Sequence, residues 1–397
     1  MNKISKQICA LSILFILATT YTLADVRLPA VLSSNMVLQQ QSSVKLWGWA
    51  APAEKIYITT SWSTITDSAV ATGDAKWRVK IKTPSAGGPY TITIKGRNTI
   101  VLDNVMIGEV WVCSGQSNME WSSLNGIQQI NDEFPTCANS QLRFFHIPKT
   151  TALYPQDDCY AAWTECNAET LKGFSAVAYF FGKQLQQKLN VPVGLINTSW
   201  GGTAAEVWVP EEAVEEDPIL KAAAEKIGQY PWWPNLPGRA YNAMIAPITS
   251  FEIAGAIWYQ GESNTSTAST YQELMSTLID SWRKDWNKNF PFYYVQIAPF
   301  AYGNHHIGAL LREAQSKTMS HPNTGMVVIT DLVDDVKDIH PRNKRDVGDR
   351  LAAWALAETY HKTGITYKSP SFKNMVVNKN KAVVYFNNVP TGLMLKG

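Results

Sequence analysis

Surplus charge, long apolar runs and metal-binding patterns are all scarce in this chain. Its 397 residues carry 35 basic and 33 acidic side chains, for a formal net charge of +2. Residues 1–24 contain Lys3 and Lys6 and no acid, so their removal leaves a formally neutral chain. A neutral protein has no electrostatic footprint for nucleic acid or anionic lipid, and neither is an expected partner. The apolar stretch at residues 8–18 is too short to span a bilayer comfortably. Flanked by Lys3 and Lys6 and by the small-residue site Thr22-Leu23-Ala24, it reads as the core of a secretory signal peptide. Secretion or export to a periplasm is the expected localisation, with no membrane insertion once the peptide is cleaved. Cys9 lies at the start of that stretch, away from the cleavage site, so lipid attachment is not expected.

Metal signatures are missing as well. His305 and His306 are adjacent, His146, His321 and His361 stand alone, and no Cys/His/Asp spacing resembles a zinc site. Asp331, Asp334, Asp335 and Asp338 cluster, but without the glycine and closing glutamate of a calcium loop. No metal and no cofactor is expected. The acidic run Glu211, Glu212, Glu215, Glu216 and Asp217 reads as a helix start and a solvated face. Beyond Cys9 the cysteines are Cys113, Cys137, Cys159 and Cys166. Cys113 sits in an apolar strand pattern and is expected as a buried thiol. Cys159 with Cys166, or either with Cys137, are the disulfide candidates in an exported chain.

What is present is a large apolar and aromatic inventory: 45% hydrophobic residues against 17% charged, with 15 Trp and 16 Tyr. Such a length predicts two or three domains at roughly 100–200 residues each. Segments 44–49, 55–59, 77–81 and 90–94 alternate apolar with polar side chains between Pro and Gly clusters, the pattern of short strands. From Met106 the texture changes. Apolar runs at 107–113, 142–147, 193–197, 253–259, 292–297 and 326–330 alternate with helical patterns. Tyr271, Leu274, Met275, Leu278, Ile279, Trp282 and Trp286 form one helix face, and Phe174, Val177, Ala178, Phe181, Leu185 and Leu189 another. Continuous strands alternating with amphipathic helices predict a parallel sheet covered on both sides. The expected organisation is a signal peptide at 1–24, an all-β sandwich at 25–105, an α/β domain at 106–364, and at 365–397 the start of a C-terminal β region that reads as truncated.

Four blocks carry the chemistry. Ser114-Gly115-Gln116-Ser117-Asn118-Met119 follows an apolar strand, and small polar residues at a strand's C-terminal end mark where open α/β sheets bind ligands. Thr198-Ser199-Trp200-Gly201-Gly202-Thr203, Trp258-Tyr259-Gln260-Gly261-Glu262-Ser263-Asn264 and Asp338-Ile339-His340-Pro341 come after it. In that order the blocks resemble the SGNH hydrolases, and more closely their sialate O-acetylesterase branch of carbohydrate esterases. The resemblance runs from about Val26 onward. It implies a three-layer α/β/α, flavodoxin-like catalytic domain and a secreted serine esterase acting on an O-acetylated sugar or glycan, foremost sialic acid. Acetylxylan or another acetylated polysaccharide is the alternative substrate, and a non-catalytic carbohydrate-binding protein the alternative class.

Ester hydrolysis needs a nucleophile, a base and donors for the developing oxyanion. Ser117 is the expected nucleophile and His340 the base, held ahead of a helix that Pro341 would start. Many relatives place the acid three residues before the histidine, where this chain has Lys337. Asp338 is therefore the leading acid, Asp335 and Asp334 remain alternatives, and a Ser–His dyad is a further one. The resemblance points to the Ser117 N–H, a glycine of Gly201-Gly202 and the Asn264 amide as the oxyanion hole, with Gln116, Gln260 and Glu262 as polar support. Trp200, Trp208, Tyr230, Trp232, Trp233 and Trp258 are candidate sugar-stacking walls. Arg239 and Arg342 are candidate partners for a substrate carboxylate.

Overall fold

A computed structural model describes residues 25–303, 306–389 and 392–393; the signal-peptide segment and His305 lie outside them. Seven strands open the chain: β1 (Val37–Gln39), β2 (Ser43–Trp49), β3 (Lys55–Thr60), β4 (Thr66–Val70), β5 (Lys76–Lys82), β6 (Gly87–Lys95) and β7 (Thr99–Gly115). The chain continues through β8 (Asn139–His146), β9 (Trp163–Cys166), helix α1 (Ala176–Leu189), β10 (Val193–Ser199), β11 (Gly255–Tyr259), helix α2 (Tyr271–Trp286) and β12 (Phe292–Val295). Helix α3 (Ile307–Thr318), β13 (Thr324–Val327), helix α4 (Lys344–Trp354), β14 (Ser371–Asn378) and β15 (Lys381–Asn387) complete it.

The central sheet runs β13-β12-β11-β7-β10-β8-β9, parallel except for β9 at its edge. The protein is thus mixed α/β around a large, mostly parallel sheet. Every residue of β10, β11 and β12 is buried, as strands covered on both faces must be. Alternate side chains of β7 enter different cores. Val110 and Val112 pack with the α2 face of Tyr271, Leu278 and Trp282, while Trp111 and Cys113 pack with Val177 and Phe181 of α1 and Leu351 of α4. The helices therefore clothe opposite faces.

The N-terminal strands do not stand apart from this sheet. β6 pairs antiparallel with β7, β3 with both β4 and β6, and β1 runs parallel to β7. Only β2 and β5 form a separate two-stranded ribbon there. Position 105/106, where the sequence texture changes, lies inside the single strand β7. At the other end, β14 and β15 form an antiparallel hairpin whose residues are all exposed. The four described cysteines are free and buried. Cys166 donates to the Cys137 carbonyl at 3.1 Å, and Cys159 is not paired with either.

Candidate active site

Register brings the sequence blocks together. Ser114 lies level with Thr198 of β10 on one side and Trp258 of β11 on the other; Gly115 is level with Ser199 and Tyr259. Three central strands therefore end side by side, and the first three blocks leave the sheet at one edge. The order also reverses about β7, which is where open α/β sheets form a crevice. Gly115 makes the exit turn. Its φ is +138°, and a Cβ there would lie 2.2 Å from the Tyr259 carbonyl oxygen, so only glycine fits. The backbone then enters a one-turn helix, Ser117–Glu120, with Ser117 first.

The fourth block arrives on the loop between β13 and α4. Pro341 does not start that helix: α4 begins at Lys344, because the Asn343 side chain accepts the Asp346 N–H at 3.1 Å and caps it. His340 Nε2 lies 2.9 Å from Ser117 Oγ, closing a contact across 223 residues. Trp121, one residue past the short helix, stacks on the imidazole at 3.8 Å between centroids and 18° between planes. Arg342 in turn lies 4.8 Å from the Trp121 ring centre.

Asp338 is close to the imidazole but engaged elsewhere. Its Oδ1 accepts the His340 backbone N–H at 2.9 Å and stands 3.9 Å from His340 Nδ1, and its Oδ2 is 3.4 Å from Arg342 Nε. Asp335 accepts the Lys337 N–H. Burial, and after it the nearby Lys344 charge, pull the His340 pKa down to about 4 against the opposing pull of Asp338. The ring is neutral at neutral pH, the form that can take a hydroxyl proton.

Beneath the pair lies a buried polar chain. Lys344 Nζ donates to Asn118 Oδ1 at 2.6 Å, and Asn118 Nδ2 donates to Glu262 Oε1 at 2.6 Å and to the Ile339 carbonyl at 3.0 Å. Asn118 thus ties the residue after the nucleophile to the residue before the histidine. An amide, not a direct ion pair, separates the two charges, so desolvation pushes each toward its neutral form: Lys344 falls to about 7 and Glu262 rises.

The remaining expected residues divide. Ser117, Gln116, Gly201, Gly202, Glu262, Ser263 and His340 line one cleft of about 500 Å³ with Trp200, Trp232 and Trp233. The N–H groups of Ser117 and Gly202 have no acceptor among the described residues. Gly201 N–H donates to the Glu120 carboxylate, which also holds Lys149 at 2.7 Å. Gly202 has φ +83°, and the Trp233 indole lies where its Cβ would be. Asn264 is not brought to that wall. It is fully buried and its amide donates to Glu206 at 2.8 and 3.1 Å, because a buried carboxylate must be supplied with donors. Gln260 stands behind the cleft too, donating to Asn264 Oδ1 and accepting from Tyr271. Trp208 and Trp258 are core residues. Arg239 lines an adjoining recess with Trp200, Trp232 and Trp233, while Arg342 is held on Trp121. Among the described residues no group of three or more His, Cys, Asp or Glu is arranged to hold a metal ion.

Nothing local to Trp121, Lys344, Glu120 or Lys149 in the sequence marks them as part of a site.

A carbohydrate esterase family, described as sialic acid-specific acetylesterase, matches residues 107–357. The chain is 30% identical to the sialate O-acetylesterase of Pongo abelii over 87% of its own length and 73% of that protein, and 29% identical to the human sialate O-acetylesterase over the same shares. Among solved structures it resembles a carbohydrate acetylesterase from Xanthomonas citri, with a TM-score of 0.82 and 34% identity over 92% of this chain and 82% of that one.

Proposed function

The chain belongs to the sialic acid-specific carbohydrate acetylesterase family, a family of carboxylic ester hydrolases acting on O-acetylated sugars, and from that premise we propose that it is a secreted serine esterase working through an acyl-enzyme on Ser117. The observation that carries the reading is the 2.9 Å approach of Ser117 Oγ to a neutral His340 Nε2 in a tryptophan-walled cleft. Ser117 Oγ attacks the acetyl carbon while Nε2 takes its proton. The carbonyl oxygen becomes an oxyanion, for which the unengaged N–H groups of Ser117 and Gly202 are the donors. The imidazolium then protonates the departing sugar oxygen. Water attacks the acetyl-serine by the same base, and acetate leaves.

Asp338 is the proposed acid. Its 3.9 Å separation from Nδ1 closes once the imidazolium forms, since catalytic hydrogen bonds commonly tighten only in the reacting complex. Trp232, 71% exposed, and Trp233 offer faces for a sugar ring. O-acetylated sialic acid is the proposed substrate, its carboxylate directed to Arg239 in the adjoining recess. The apolar segment at residues 8–18 supports export.

Two measurements test this. Ser117→Ala should lower kcat on an aryl acetate by at least about 10⁴-fold with circular dichroism unchanged; turnover near that of the parent sinks the serine mechanism. A panel of acetylated sugars compared by kcat/KM should rank O-acetylated sialic acid first. Equal rates on acetylated xylan would shift the assignment to a polysaccharide esterase.

A further inference from the structure

A second cleft, of about 190 Å³, lies away from Ser117, between the β2–β5 ribbon and the loop carrying Gln156 and Asp157. The ribbon register sets Trp47 opposite Arg78, Trp49 opposite Lys76 and Lys45 opposite Lys80. Because side chains alternate along a strand, these six share one face, and Val44, Leu46, Trp77 and Ile81 take the other, buried one. Two half-buried indoles and four cations therefore form one surface. A face whose only task was to brace the body would have no need of this composition.

Its charges are only partly offset, since Asp74 also interacts with Lys76 and Arg78. Lys76 is paired with Asp157 at 2.8 Å, which fastens the loop across the cleft. Asp157 is the only acidic residue in the lining, and Lys45 and Arg78 have no ion-pair partner among the described residues. The protein as a whole is close to neutral, so this is a local concentration of positive charge on an aromatic floor.

We propose that this cleft is a non-catalytic binding site for a carboxylate-bearing sugar residue. Indole faces pack against the C–H faces of a pyranose at little entropic cost. Arg78 and Lys45 supply charge-assisted hydrogen bonds to a carboxylate. The volume falls below the roughly 300–1,000 Å³ of pockets that enclose larger ligands, and suits a single ring. The segment leaving the catalytic cleft at Lys149 reaches this one at Gln156. Seven residues of chain span at most about 25 Å, which bounds the separation of the two clefts along this segment. Binding of a glycan here would raise the local concentration of its acetylated end near Ser117. That role rests on the glycan reading above; the binding itself does not.

The test uses full-length protein labelled with 5-fluorotryptophan, carrying Ser117→Ala so that nothing is turned over. The Trp47 fluorine resonance is identified by its disappearance in Trp47→Phe. Titration with the methyl glycoside of N-acetylneuraminic acid, and separately with methyl glucuronide, should move that resonance saturably. The methyl esters of both sugars, and the exposed charge reversal Arg78→Glu, should each weaken the effect at least about tenfold, the loss of one charge-assisted contact. A Trp47 resonance that stays fixed up to ligand solubility overturns the proposal, as does one that moves equally with the esters. Movement confined to other tryptophans places the ligand elsewhere and overturns it too. Arg78→Glu with Ser117 intact should leave aryl acetate hydrolysis unchanged within about twofold. A failure of the serine mechanism would appear in that esterase assay alone and leave the fluorine readout standing.

Discussion

At the residue scale the site depends on groups that balance one another across long stretches of sequence. Asp338 performs two tasks that substitution can separate. Asn at 338 keeps an oxygen for the His340 backbone N–H but removes the charge that favours the imidazolium. Asp338→Asn should therefore lower kcat by about a hundredfold, short of the roughly 10⁴ seen where the acid bonds the ring directly, with thermal stability nearly unchanged. A rate within about threefold of the parent would leave Ser117 and His340 as a dyad. Lys344 acts through charge. Burial, and after it this ammonium, holds His340 at about 4, so kcat/KM should rise with pH through an acid limb well below the ordinary 6.5 of histidine. Lys344→Met should move that limb upward toward 6.5. The stability sign follows: the folded state favours the neutral ring and the unfolded chain does not, so stability is full above about 6.5 and declines as pH falls toward 4. Ser117 was legible because its polar block follows an apolar run, and His340 because its block completes the family resemblance. Trp121 and Lys344 were not, since nothing in a single tryptophan or lysine announces a partner on another strand end. Asn264 shows the converse. Its block was readable, but the buried Glu206 that engages its amide comes from a different loop.

At the scale of elements, strand pattern carried most of the information. The apolar runs became β7, β8, β10, β11, β12 and β13, and the helix face from Tyr271 to Trp286 is buried at each expected position. Turn geometry was less visible. Gly115 looked like any loop glycine, yet its φ of +138° and contact with the Tyr259 carbonyl make it the residue that aims Ser117. Gly115→Ala should cost at least about 2 kcal/mol in denaturant unfolding and lower kcat more than it raises KM, because the displaced nucleophile no longer meets His340. Unaltered kcat would mean the strand end tolerates a Cβ. The start of α4 at Lys344 rather than Pro341 is a smaller departure: an asparagine cap outweighed the proline signal.

Across the whole molecule, stability should be uneven. β14 and β15 expose Phe372, Val377, Val383 and Phe386 and pair only with each other among the described residues, and a lone hairpin is marginal in water. Hydrogen exchange should release the amides of residues 371–387 through local opening, far ahead of those from Val105 to Gly115; equal protection would show that the hairpin is held by contacts absent from this fold. The N-terminal strands behave differently, and sequence texture hid why. Side chains in β7 alternate up to about Val105 and then turn uniformly buried and mostly apolar, which looks like a boundary between domains. The backbone is nonetheless one continuous strand: its 17 residues span roughly 50 Å, with a bulge at Asn104, whose φ is +56°. Such a strand is no linker. Mechanical load or thermal loosening in the strands that flank its first half is thus delivered along covalent backbone to the serine at its tip, and the two halves of the protein should melt as one.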